Sequence, residues 1–135
     1  MRISKNLRFS LAALLVTSGL VSVALAQVTA EPNNHYLNGG VSLDARQAMQ
    51  AERSHYNLRL AFAQTGSGYY LAGVALTIQP TGNKVAAQHF EDCGPLFYVK
   101  LAPGRYRISA EYEGKKQELS TTVGAKGTDH VLYWR

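Results

Sequence analysis

A single cysteine, Cys93, occurs in the 135 residues, so no disulfide can form within the chain and the core must supply its own stability. Runs of one charge are missing as well. The longest basic stretch is Lys115-Lys116, which leaves nucleic-acid binding without an electrostatic footprint. No long apolar run follows residue 26. Regular helix–strand alternation is absent, which disfavours a parallel α/β sheet. No stretch sets a nucleophile beside a base, or metal ligands at a diagnostic spacing, so no catalytic motif stands out.

What is present begins with an export signal. Arg2, Lys5 and Arg8 form a short basic start, and residues 9–26 are uncharged and apolar or small. They end Ala24-Leu25-Ala26, the small-x-small pattern that signal peptidase accepts. Thr17, Ser18, Gly19 and Ser22 interrupt this run and weaken a membrane-anchor reading. Residues 1–26 are therefore expected to be a cleaved signal peptide. The remainder is expected in a bacterial periplasm or secreted, with no stable membrane anchor. Three of the 14 Lys+Arg leave with the signal and none of the 9 Asp+Glu do, which lowers the net charge from +5 to +2.

Residues 27–41 hold Pro32, Asn33, Asn34, Asn38, Gly39 and Gly40 and read as a flexible leader. Residues 42–54 carry the one good helix signal. Ser42 can cap it, and Asp44 suits its positive end. Its apolar strip is narrow and mostly alanine, so it should lie against a sheet, where it is a candidate cover for a binding surface. From there to residue 135 the period is two. Tyr56, Leu58, Leu60 and Phe62 alternate with smaller or polar residues, and so do Val74, Leu76 and Ile78. Residues 85–90 are a weaker strand. Phe97, Val99 and Leu101 form the next inward set, followed by Tyr106, Ile108, Ala110 and Tyr112. Leu119, Thr121 and Val123 suggest a sixth strand and residues 131–134 a seventh. Gly and Pro punctuate these runs, with Gly114-Lys115 a hairpin-turn candidate. The pattern predicts an all-β fold: a seven-stranded antiparallel, immunoglobulin-like β-sandwich over residues 55–135, preceded by one short helix.

At Leu101-Ala102-Pro103-Gly104-Arg105-Tyr106-Arg107-Ile108 one strand ends in Leu-x-Pro-Gly and the next begins x-Tyr-x-hydrophobic. With Glu113-Gly114 closing that strand, the segment resembles carboxypeptidase regulatory-like domains, which are prealbumin-like (transthyretin-like) sandwiches. Residues 97–114 carry the likeness, and the strand rhythm extends it. The chain also resembles small exported bacterial proteins of this group with no assigned activity. The resemblance implies a non-catalytic accessory module that holds no zinc. Transthyretin-like hydroxyisourate hydrolases end in Tyr-Arg-Gly-Ser, whereas this chain ends Val131-Leu132-Tyr133-Trp134-Arg135. Pilin-type sandwiches need a first-strand lysine for an isopeptide bond, and the strand here has Arg59 instead.

Several residues invite a functional reading. Tyr69 and Tyr70 follow a glycine-rich loop, Tyr98 falls on the outward phase of its strand, and Trp134 lies one residue from the end. Exposed rings there would stack on sugars or dock a partner; the plainer reading pads the ends of the sandwich. His89, Glu91, Asp92 and Cys93 cluster near a turn, but the spacing is only permissive for copper or zinc. His35, His55 and His130 are scattered, and His55 suits a helix C-terminus. Arg105, Arg107, Glu111 and Glu113 share a strand face and read as cross-strand pairs, with Lys100 one candidate partner. The expectation is a non-enzymatic interaction module that needs no cofactor. Its partner would be a periplasmic or envelope protein, or a polysaccharide. Ligand binding through Tyr69, Tyr70, Tyr98 and Trp134 is the second reading. A metal or enzymatic site at residues 89–93 is the third.

Overall fold

The computed structural model describes residues 36–82 and 85–135. The expected signal peptide, most of the expected leader and His35 lie outside them. The elements run β1 (Tyr36–Gly39), α1 (Leu43–Glu52) with a 3-10 turn (Arg53–His55), β2 (Leu58–Gln64), β3 (Val74–Pro80), β4 (Gln88–Cys93), β5 (Leu96–Val99), β6 (Gly104–Tyr112), β7 (Lys115–Val123) and β8 (Thr128–Trp134). Two four-stranded sheets face each other. Sheet A has the order β1-β5-β2-β8 and sheet B the order β4-β3-β6-β7.

The period-two segments become strands whose inward sets form one core. Leu58, Leu60, Phe62, Val74, Leu76, Ile78, Phe97, Val99, Ile108, Ala110, Leu132 and Trp134 all lie in it. Full burial of each large side chain contributes about 1.5–3 kcal/mol, which is how the fold stands without a disulfide. The Pro103-Gly104 reversal brings Tyr106 inward. Its buried hydroxyl donates to the Ala102 carbonyl at 2.6 Å, tying the start of β6 to the turn before it in the manner of a tyrosine corner. The β6–β7 hairpin closes through Glu113 and Gly114, both at positive φ (48° and 77°). Paired positive φ is what a right-twisted two-residue hairpin requires. The turn therefore lies one residue before the expected Gly114-Lys115.

Two features depart from the seven-stranded antiparallel expectation. Part of the stretch read as leader, Tyr36–Gly39, is an eighth strand paired with β5. Here a tertiary ladder overrides the turn preference of Asn38 and Gly39. Gly40 then turns the chain into the helix at φ +92°, where a Cβ would also press on Leu96 at 3.0 Å. Second, β8 runs parallel to β2 over residues 58–64. The chain crosses from β7 in one sheet to β8 in the other, and so lies beside β2 in the same direction. The weak strand near residue 85 begins later than expected, at Gln88.

Tyr106→Phe keeps the ring and removes its buried donor. The expected outcome is an unchanged fold with stability lower by about 1–2 kcal/mol, because the Ala102 carbonyl loses its partner; urea unfolding measures this.

Candidate functional site

The outer face of sheet A is set out in rows by its register. Leu37, Tyr98, Arg59 and Asp129 make one row, and Gly39, Leu96, Ala61 and Val131 the next. Past the end of β5, Tyr70 bridges to Ala63 on one side, while Tyr133 lies opposite Ala63 on the other. The third row is therefore Tyr70–Ala63–Tyr133.

Helix α1 covers the β1–β5 half of this face. The Ser42 hydroxyl caps it by accepting from the Ala45 N–H at 3.1 Å. Met49 is its one buried side chain and packs with Leu96, Tyr98, Leu37, Tyr56 and Ala61. Arg46 binds the chain entering the helix, donating to the carbonyls of Gly40 and Val41. Its guanidinium also sits 4.8 Å from the centre of the Tyr70 ring, a cation–π geometry worth about 0.5–1 kcal/mol at an exposed site. What stays open is a small apolar patch. It consists of Tyr70, half exposed, and Val131 with Tyr133, 47% and 52% exposed, ranged around the buried Ala63.

Arg59 anchors the other end of this face. Its Nε and Nη2 grip the Asp129 carboxylate at 2.7 and 3.0 Å, while Nη1 donates to the carbonyls of Arg53 and Tyr56. Arg53 from the 3-10 turn reaches the same carboxylate at 3.1 Å. The hydrogen bond from Arg59 holds Asp129 below the usual carboxylate range, and the nearby Arg59, Arg53 and His130 charges add to this. Asp129 in turn raises Arg59 further. This bidentate pair binds β8 to β2 and the helix end to both.

The expected contact residues separate. Tyr69 and Tyr70 are exposed, at 72% and 49%. Tyr98, expected outward and free, is outward but buried, because α1 lies over it. Trp134 is in the core against Phe62 and Tyr112, and its indole N–H donates to the Lys115 carbonyl at 2.9 Å. Neither Tyr98 nor Trp134 is available to a ligand. The residues missed are Ala63, Val131 and Tyr133. The signal for them was the alternation of β8: once Leu132 and Trp134 point inward, Val131 and Tyr133 must point outward.

The residues of the third reading diverge as well. His89 lies on the outer face of sheet B, with Nδ1 3.0 Å from the Thr77 hydroxyl. Cys93 is fully buried in the core, its thiol donating weakly to the Phe90 carbonyl at 3.8 Å. Burial, with Glu91 and Asp92 nearby, pushes that thiol up to about 12. Among the described residues no three His, Cys, Asp or Glu side chains converge to hold a metal. His55 ends the 3-10 turn and faces Glu52 at 3.7 Å, while His130 meets the Thr121 hydroxyl at 2.8 Å. Lys100 follows β5 in sheet A, whereas Glu111 pairs with Lys116 in sheet B. Lys100 is therefore not the cross-strand partner anticipated for Glu111 or Glu113, because β5 and β6 lie in different sheets. No described helix is long and apolar enough to cross a membrane.

No protein-family model matches the chain, and no curated protein matches it. Among solved structures, the 5-hydroxyisourate hydrolase of Klebsiella pneumoniae is similar over 57% of this chain and 87% of that one, at 14% identity and a TM-score of 0.42.

Two outcomes follow from the site chemistry. Cys93 is expected to resist a water-soluble disulfide reagent at neutral pH while the protein is folded, and to react fully once urea exposes it. The lowered Asp129 group stabilises the folded state above its unfolded value of about pH 4. That contribution is lost as pH falls further, through the lower folded value. Asp129→Asn should therefore lower the urea midpoint at neutral pH, by leaving Arg59 without a charged partner, and should flatten the midpoint's fall below about pH 4.

Proposed function

We propose that this protein is a non-enzymatic, exported interaction module that binds a protein partner through the exposed apolar patch on the outer face of sheet A. The observation that carries this reading is the Tyr70–Ala63–Tyr133 row beside Val131. Large apolar side chains stand half exposed there, next to one another, around the buried Ala63. Scattered exposed hydrophobics are ordinary on a soluble surface, but grouped tyrosines are enriched at interface cores. The Arg46 guanidinium against the Tyr70 ring restrains that ring, which lowers the side-chain entropy lost when a partner covers it.

Two further points support a role without catalysis. The thiol of Cys93 is buried and protonated, and His89 faces the other side of its strand. The regulatory-like resemblance of residues 97–114 also favours an accessory module in the prealbumin-like class. Export to the periplasm, or secretion, is favoured by the basic start and the Ala24-Leu25-Ala26 end of residues 1–26. A glycan is the second reading, favoured by the two tyrosines flanking Ala63.

Site-specific photocrosslinking in the producing cell tests this. A photoreactive residue at Tyr133 is expected to give a discrete protein adduct that Tyr70→Ala reduces at least tenfold, whereas the same probe at Arg107 on sheet B gives none. Adducts at Arg107 alone would move the site to the other sheet. An adduct that is glycan rather than protein would favour the second reading.

A further inference from the structure

Sheet A ends at β8, and among the described residues β8 pairs with β2 alone. The direction of its backbone groups can be read from the ends of that ladder. The Thr128 N–H donates to the Asn57 carbonyl at 3.0 Å, and the Trp134 carbonyl accepts from the Thr65 N–H at 2.6 Å. In a parallel ladder the N–H and C=O of one residue point to the same side, and the next residue points to the other. Thr128, His130, Leu132 and Trp134 therefore bond to β2. Asp129, Val131 and Tyr133 direct their N–H and C=O groups away from the sheet.

The two neighbouring edges are treated differently. The β7 edge of sheet B carries Lys115, Lys116 and Glu118, charges that discourage strand addition. Of the three edge-facing residues on β8, only Asp129 is charged, and Arg53 and Arg59 already occupy its carboxylate. Val131 and Tyr133 stand exposed. Between the two edges lies a cleft of about 300 Å³, lined by Gln117, Glu118, Leu119, Val131, Leu132 and Tyr133.

We propose that β8 is the docking edge for an extended segment of a partner protein, which adds to sheet A as a fifth strand. The proposal rests on the interaction-module reading and specifies its contact. The backbones of Asp129, Val131 and Tyr133 supply the ladder. The outward side chains of the added strand lie beside Val131 and Tyr133, where β-branched or aromatic residues pair best. Its inward side chains enter the cleft over Leu119 and Leu132 and need to be apolar. The partner segment is thus an extended run with apolar residues at alternate positions. A second copy of this chain fits the edge less well. Its own β8 is flanked by its own β7, held through Thr121–His130 and Thr128–Thr122 contacts, so it cannot enter the cleft.

The test uses nitrogen-15-labelled protein and a synthetic peptide of about nine residues, near the upper end of common strand lengths. The peptide alternates valine and threonine between terminal lysines, and the control carries a central proline. The expected result is slowed amide exchange at Asp129, Val131 and Tyr133 with the alternating peptide only. Val131→Pro removes the central outward donor while sparing the ladder to β2, a place where an edge strand tolerates proline. It should weaken peptide binding at least tenfold, whereas Val131→Thr keeps the donor and the binding. Should Val131→Pro lose its dispersed spectrum, Val131→Lys serves instead, with the same loss expected. Undiminished binding in these variants, protection at β1, β4 or β7 instead, or sedimentation showing β8-dependent self-association would each overturn the proposal. Partner crosslinking at Tyr133 that survives Val131→Pro would overturn strand addition and leave the interaction module standing. Absence of both crosslinking and peptide protection would remove both.

Discussion

The parallel pairing of β8 with β2 over residues 58–64 is the constraint on which the rest of this structure turns. It places the last strand at the edge of sheet A and fixes its parity. Leu132 and Trp134 enter the core, and Val131 and Tyr133 face out. Because the side-chain period of a strand is two, a shift of one residue would exchange these pairs. Trp134 would then lose its contacts with Phe62 and Tyr112 and its bond to the Lys115 carbonyl, so the register is strongly determined. The same parity decides which backbone groups of β8 are used within the sheet and which face away from it.

A second constraint acts on the outer face. Arg59 sits among β2, β8 and the end of the helix, with four hydrogen bonds to the Asp129 carboxylate and to two carbonyls. Gly127 lies against its guanidinium, where any side chain would collide. A largely buried cation is tolerated only when paired and bonded in this way. The arrangement carries α1 to the β1–β5 half of the sheet, where Met49 covers Leu96 and Tyr98. One half of an apolar face is thereby withdrawn into the protein and the other left as an exposed patch. The exposed half is a residue of the packing geometry as much as of composition, since the covered half holds a tyrosine as well.

Much of the fold could be read from the order of residues. The inward sets of β2, β3, β5 and β6 alternate cleanly, and their members are the core. The Ser42 cap and the Pro103-Gly104 reversal with its inward Tyr106 lie where the local chemistry predicts them. The candidate site was legible only in part. Tyr69 and Tyr70 stand exposed after their glycine-rich loop, as expected. Tyr98 faces outward as its strand phase predicts, yet the helix hides it. The closeness of Trp134 to the end of the chain suggests exposure, whereas its parity on β8 sends it into the core. Residues 36–39 look like open chain because Asn38 and Gly39 prefer turns, and only the ladder to β5 makes them a strand.

The sequence alone determined most of the strand segments after the helix, which of their residues are apolar enough to form a core, most of the turns between them, and that no disulfide supports it. These are local properties, set by alternation, turn chemistry and capping within a few residues. Tertiary structure decided which strands share a sheet, that β8 runs parallel to β2, that Cys93 and His89 diverge, and which tyrosines meet solvent. Those outcomes depend on pairings between residues some 70 positions apart, as between Arg59 and Asp129. No local pattern encodes them, because a strand's alternation states that it has two faces without stating what will cover each one.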